Sequence, residues 1–284
     1  MVKCSRLIYI GFKSFQDKTE YLWRGFREAR RAWPPESWDL GGSLRFLRNY
    51  IWPNPRFFRI VRFITPKTGN ITMDAEKSKG NLYGYFDSEK SEYVITSPLT
   101  PRAWINYLGG VSDMDAFVSN RAGGTVWYKQ PHTGRLTRYQ YMAQPEDNPG
   151  FFLYIRDMGE LWTPSFMPTR TPLDRYECRH GLYYTTFDSE KNGIGVKVRY
   201  MIPRKDPVML WDITFTNHRK EEAVFSAYPY QDFAMRDVQK EVLFFHFCGN
   251  QMTGFYDKSV GALRLDYFAY EAIHKGHTLF NACF

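Results

Sequence analysis

The sequence predicts an all-β fold, a large antiparallel sandwich of two sheets, and three observations carry that prediction. From Leu82 onward, short runs rich in Tyr, Phe, Val, Ile, Trp and Thr recur. Gly, Pro, Asn and Asp clusters separate these runs, and almost nothing after residue 81 reads as helix. The 284 residues, 43% hydrophobic and 18% aromatic, hold enough apolar surface for one large all-β unit with a substantial core.

The elements follow in order. Leu82 to Phe86 and Glu92 to Thr96 flank the polar stretch 87–91 and read as a hairpin. Further strands are expected at 124–128, 136–141, 151–156, 176–180, 182–187, 194–202, 208–217, 223–230, 242–247, 251–256, 263–270 and 278–284. The stretch 188–193 ends in Asn192-Gly193, a dipeptide that accepts positive φ cheaply, and reads as a turn. Strands in this number with so little helix are accommodated by two packed sheets.

Residues 1–80 have a different character and are expected to form a short, basic, partly helical extension before a sandwich domain spanning 81–284. Ser14 or Asp17 would cap a helix carrying Leu22, Phe26 and Ala29, ended by Trp33-Pro34-Pro35, and Ser43 would cap a second with Leu44, Leu47 and Ile51. The net charge of +8 sits in this segment, which holds 16 Lys+Arg against 7 Asp+Glu while the remainder holds 22 against 23. A surplus confined to the front argues against nucleic acid as the partner of the sandwich. A solvated or partner-docking extension is preferred over contact of Arg24, Arg27, Arg30 and Arg31 with an anionic surface.

Cys4, Cys178, Cys248 and Cys283 form no CxxC pair, so neither a disulfide framework nor a zinc knuckle is indicated. No apolar run approaches the roughly 18 residues of a membrane span, and residues 1–15 lack a signal-peptide pattern. A cytoplasmic protein with no membrane contact is expected. At the other end, Thr278 to Phe284 is apolar to its last residue, so the chain reads as a piece of a sandwich whose last strands lie beyond it. The same reasoning expects an unpaired sheet edge, thin cover over Phe244, Phe268 and Phe280, and poor solubility.

The most informative stretch runs from Asp174 to Asp188, where Glu177, Arg179 and His180 interrupt an aromatic strand; such groups must be paired or shown to a ligand. Read with its neighbours, it carries a resemblance. Tyr83-Gly84-Tyr85-Phe86-Asp87, Trp104-Ile105-Asn106-Tyr107-Leu108-Gly109, Ser119 to Gly124, Arg135 to Tyr139, Tyr154-Ile155-Arg156-Asp157, Tyr176-Glu177-Cys178-Arg179-His180-Gly181-Leu182, Trp211-Asp212 and Thr216-Asn217 occur in consistent order. Together they resemble the N-terminal region of the cellobiose, cellodextrin and chitobiose phosphorylases, the inverting phosphorylases of glycoside hydrolase family ninety-four. The resemblance begins at residue 82.

The resemblance implies a β-supersandwich and a role in phosphorolysis, in which inorganic phosphate attacks the anomeric carbon of a β-linked disaccharide or oligosaccharide and gives an α-sugar 1-phosphate. It implies no cofactor, with phosphate as co-substrate. It places the catalytic acid and phosphate cradle in a downstream (α/α)6 helical barrel, so no catalytic residue is expected in this chain, and it implies a homodimer in which sandwich loops approach the partner's sugar pocket. Arg156, Asp157 and Trp162 are candidate sugar contacts on that ground, and Arg179 and His180 are candidates for phosphate or sugar.

Plainer readings compete with each. Glu177 and Arg179 lie two apart on one strand face and pair structurally, and Trp104, Trp127, Trp162 and Trp211 fill the space between sheets; both are preferred. His274 and His277, three apart on an extended segment, point to opposite faces and make no metal site. Two alternative functions remain open: a non-catalytic carbohydrate-binding or scaffolding sandwich, and part of a β-1,2-glucan-active enzyme.

Overall fold

The structure is a computed structural model, and it describes residues 3–14, 82–138, 150–244, 252–258, 261–267 and 277–283. Within these, the chain forms β1 (Lys3–Ser14), β2 (Gly84–Asp87), β3 (Glu92–Ile95), β4 (Ile105–Gly109), β5 (Met114–Ser119), β6 (Gly124–Tyr128), β7 (Arg135–Thr137), β8 (Phe151–Asp157) and β9 (Glu160–Trp162). There follow β10 (Arg175–His180), β11 (Tyr184–Lys191), β12 (Ile194–Met201), β13 (Val208–Asn217), β14 (Phe225–Gln231), β15 (Phe233–Arg236), the short helix α1 (Val238–Leu243), β16 (Met252–Asp257), β17 (Ala262–Tyr267) and β18 (His277–Cys283).

One sheet has ten strands in the order β16-β17-β18-β1-β13-β12-β11-β10-β3-β2. The other layer is split into a five-stranded sheet, β15-β7-β6-β5-β4, and a three-stranded one, β14-β8-β9. The pairings among the described residues are antiparallel, and one apolar core draws Ile95, Phe187, Val198 and Trp211 from the large sheet, Val118 and Val126 from the five-stranded sheet, and Phe151, Ile155 and Trp162 from the three-stranded one. The Phe151 ring lies 5.2 Å from those of both Tyr200 and Trp211, which locks the small sheet onto the large one. Alternation does the sorting: along β12, Val196, Val198 and Tyr200 are buried while Lys197 is exposed.

Two turns show what the glycines are for. Asn192 and Gly193 both have positive φ, 50° and 72°, which is the backbone a two-residue hairpin between β11 and β12 needs. At Gly123 a Cβ would come within 1.6 Å of the Phe151 carbonyl oxygen, so only glycine lets β6 approach β8 so closely.

Several expectations need correction. The turn expected over 188–193 shrinks to its last two residues, because β11 runs on to Lys191 with Asp188 and Glu190 on one face and buried Ser189, which donates to the Pro164 carbonyl at 2.6 Å, on the other. The strand expected from Val242 begins inside α1, whose N-cap Asp237 accepts from the backbone N–H groups of Gln239 and Lys240. Strands β4, β5, β9 and β15 are additional to those expected. So is β1: residues 3–14 of the expected partly helical extension, which precede its first expected helix, form a strand paired with β13 on one side and β18 on the other. The two helices expected near residues 14–33 and 43–51 lie outside the described residues.

The strand closest to the C-terminus is also not an edge. β18 sits between β1 and β17, and Phe280 is buried, whereas Phe244 is exposed and Phe268 lies outside the described residues. No helix among the described residues is long and apolar enough to cross a membrane.

Candidate functional site

β10 presents its side chains alternately to two environments. Arg175, Glu177 and Arg179 lie on the outer face of the ten-stranded sheet, opposite Glu190, Asp188 and Thr186 of β11; Tyr176, Cys178 and His180 point to the interior.

On the outer face one guanidinium collects three carboxylates. Arg179 Nε donates to Glu177 Oε1 at 2.6 Å, and its Nη1 donates to Glu92 Oε2 at 2.8 Å and Asp87 Oδ2 at 3.2 Å. Tyr184 O–H donates to the other oxygen of Glu92 at 2.5 Å, and Arg199 lies 4.8 Å over the Tyr184 ring. Burial works against the charged form of Arg179, but its bonds to Glu177 and Glu92 outweigh burial and hold its pKa above the ordinary arginine value. Glu92 answers in kind: burial would raise its pKa, yet bonds from Tyr184 and Arg179 hold it below the usual carboxylate value. A phosphate approaching Arg179 would meet these carboxylates first, so the geometry is that of the structural pair, extended from Glu177 to Glu92 and Asp87.

The inner face is neutral. His180 Nε2 lies 3.3 Å from the Trp104 carbonyl and its Nδ1 lies 3.1 Å from Thr185 Oγ1, which assigns the proton to Nε2, with Nδ1 accepting from the threonine. Burial lowers the His180 pKa to about 4, its bond to the Trp104 carbonyl only partly opposing this. Burial likewise pushes the Cys178 thiol and the Tyr176 hydroxyl well up, and that hydroxyl donates to the Asn120 carbonyl. His180 is therefore an uncharged strut between the large sheet and the chain at Trp104.

The remaining expected contacts do not converge. Arg156 is exposed on the outward side of β8. Its neighbour Asp157 is buried and grips Arg219 through both oxygens, with Arg219 Nη1 donating to Oδ1 at 3.2 Å and Nη2 donating to Oδ2. Trp162, weighed as a sugar contact with core packing preferred, is the last residue of β9 and is wholly buried in the core. Trp127 and Trp211 are buried too, and Trp104 is half-buried against the same core. Among the described residues no group of three or more His, Cys, Asp or Glu side chains could hold a metal ion; His274 lies outside them.

The sequence reading missed the segment after Trp162. Between β9 and β10 the backbone takes positive φ at two residues that are not glycine, Phe166 at 77° and Arg170 at 55°. Such a conformation at an aromatic residue costs on the order of 1–3 kcal/mol, and persists only where the surroundings impose it. They do: Thr163 Oγ1 donates to the Met167 carbonyl at 2.8 Å, Arg170 N–H to the Phe166 carbonyl at 2.8 Å, and Met167 N–H to the Arg121 carbonyl at 2.8 Å. Phe166 and Met167 pack with Ala122, Phe152 and Tyr154 over the outward side of the three-stranded sheet. The only sequence signal was the spacing of Pro164, Pro168 and Pro172, which marks a loop but not its strain.

A ten-stranded antiparallel sheet packed against a divided second layer defines a large antiparallel β-sandwich. Residues 91–281 match the family described as glycosyl hydrolase 94, supersandwich domain, and the chain belongs to that family. It is 34% identical over 163 residues to the N,N'-diacetylchitobiose phosphorylase of Vibrio proteolyticus, a match covering 56% of this chain and 20% of that protein. It is 31% identical over 162 residues to the solabiose phosphorylase of Paenibacillus borealis, covering 54% and 20%. With the cyclic beta-(1,2)-glucan synthase NdvB of Rhizobium meliloti it shares 25% identity over 160 residues, 55% of this chain and 6% of the synthase. The chain thus matches a fifth or less of each of these relatives.

Proposed function

We propose that this chain is the sandwich part of a carbohydrate phosphorylase, supporting the phosphorolysis of a β-linked disaccharide or short oligosaccharide to an α-sugar 1-phosphate, and that the 284 residues alone do not catalyse it. The observation that carries the reading is the family match over residues 91–281 together with relatives named as disaccharide phosphorylases. The geometry supports the second half. Phosphorolysis needs a carboxylic acid facing an open dianion cradle, whereas Arg179 is ringed by Glu177, Glu92 and Asp87, Arg219 is held by Asp157, and His180 is half-buried with both ring nitrogens engaged by Trp104 and Thr185. The catalytic acid and the phosphate-binding groups then belong to a helical module outside this chain, with which the sandwich acts in a cytoplasmic homodimer.

Purified chain incubated with inorganic phosphate and N,N'-diacetylchitobiose or cellobiose is expected to release no sugar 1-phosphate; phosphate-dependent release would overturn the reading. The similarity to the cyclic glucan synthase favours one second reading, a sandwich serving a β-1,2-glucan enzyme. Turnover of β-1,2-gluco-oligosaccharides, and not of chitobiose or cellobiose, by the protein together with its helical module would select it.

A further inference from the structure

The outward face of the three-stranded sheet is built unlike a solvated face. In the β8–β14 pair, Phe151, Leu153, Ile155 and Phe225 turn into the core, leaving Phe152 opposite Tyr230, Tyr154 opposite Tyr228, and Arg156 opposite Ser226 on the other side. An antiparallel strand with one buried face normally shows polar residues on the other; here Phe152, Tyr154, Tyr228 and Tyr230 are aromatic. Phe152 is buried as a floor, Tyr154 and Tyr228 are half-buried, and Tyr230 is 44% exposed. The centroids of Phe152, Tyr154 and Tyr230 form a nearly equilateral triangle with sides of 6.1, 6.1 and 6.3 Å, and the strained loop places Phe166 against its flank.

We propose that this tyrosine face is a saccharide-stacking surface for a neutral β-linked oligosaccharide of glucose or N-acetylglucosamine; the ligand class rests on the carbohydrate reading above, and the location does not. The apolar C–H side of a pyranose matches an aromatic ring, while tyrosine hydroxyls meet its O–H groups. Polar groups at the rim suit a hydroxyl-rich ligand: Arg138 is paired with Asp232 at 3.0 Å beside Tyr230, and Arg156, exposed on the same side of β8, offers hydrogen-bond donors toward ring hydroxyls. A protein strand is a poor alternative occupant, because β14 is an edge strand carrying Pro229, which has no N–H to offer an added strand.

The test is titration calorimetry and saturation-transfer NMR of the whole 284-residue chain with chitotetraose and cellotetraose, in the absence of phosphate. The expected result is saturable binding of at least one sugar, weakened tenfold or more by Tyr230→Ala and by Tyr228→Ala, with the saturation-transfer signal on the sugar protons falling in the same variants. Tyr183→Ala, at the exposed turn between β10 and β11, should bind as the parent does. Failure of the parent chain to bind either sugar at millimolar concentration would overturn the proposal, as would binding unaffected by both face variants. A change of oligomeric state in the face variants, with sugar binding intact, would overturn it in favour of a second copy of the chain. The phosphorolysis assay is read separately: turnover by the chain refutes the inactive-sandwich reading while leaving the ligand face to be decided by binding.

Discussion

The two sides of β10 obey opposite electrostatic rules within one strand. Odd-numbered Arg175, Glu177 and Arg179 are tied into ion pairs, Arg175 to Asp188 of β11, Glu177 to Arg179 within the strand, and Arg179 to Glu92 and Asp87, while even-numbered Tyr176, Cys178 and His180 are kept neutral by burial. A strand's period of two is what makes this possible: one residue of displacement exchanges a wet, charge-rich face for a dry one. The chemical character of a side chain here is therefore set by its parity, and a His beside an Arg in sequence shares none of its environment.

The comparison can be broken most severely by moving a charge to the wrong side. Cys178→Asp places a carboxylate where exposure is zero, in the core that also holds Tyr200 and Phe187, and should cost about 4 kcal/mol or more, read as a fall in the urea midpoint or as failure to fold. Next is acid. His180 has a folded-state pKa of about 4 against an ordinary 6.5, so it binds its proton less readily folded than unfolded. Its contribution is complete above pH 6.5 and is lost as the pH falls toward 4, for a total of about 3 kcal/mol. Stability measured across that window should slope accordingly, and His180→Gln should remove the slope. The outer face responds later: Glu92, whose pKa is lowered, loses its contribution only as the pH falls below the ordinary carboxylate value. The smallest effects belong to the outer pairs. Arg179→Lys should cost about 1–2 kcal/mol because an ammonium cannot reproduce the fork to Glu177 and Glu92. Lys197→Ala, which removes an exposed 4.0 Å pair with Asp188, should stay within about 0.5 kcal/mol. A larger loss at Lys197 than at Arg179 would reverse the ranking of the outer face.

Much of the sandwich was legible because alternation writes directly into sequence, as in Val208 to Asn217 and Ile194 to Met201, both read nearly to their ends. Strands were missed where short length or a charge hid the pattern: β9 has three residues, and β5 carries Asp115, whose carboxyl is raised by burial despite bonds from Gly110 and Trp127. β1 was missed although Leu7-Ile8-Tyr9-Ile10 has the composition of a strand, because the arginine-rich run that follows has the caps and spacing of helices. The pairing of Arg179 with Glu177 was visible as an i, i+2 relation; its extension to Glu92 and Asp87 depends on strand order, which no local pattern reveals. The positive φ at Phe166 and the tyrosine triangle were invisible for the same reason, since one depends on distant hydrogen bonds and the other on the register of β8 with β14.

The position of β1 has a consequence for biosynthesis. Ile8 stands opposite Trp211 on one side and Cys283 on the other, so a strand that leaves the ribosome before every other described one finds its first neighbour only when β13 has been made and its second only when β18 follows. Both of its hydrogen-bonding edges are open until β13 is made, and one stays open until β18 follows. Pairing segments so far apart in sequence raises the contact order of the sheet, which slows its assembly relative to a sheet of neighbouring hairpins.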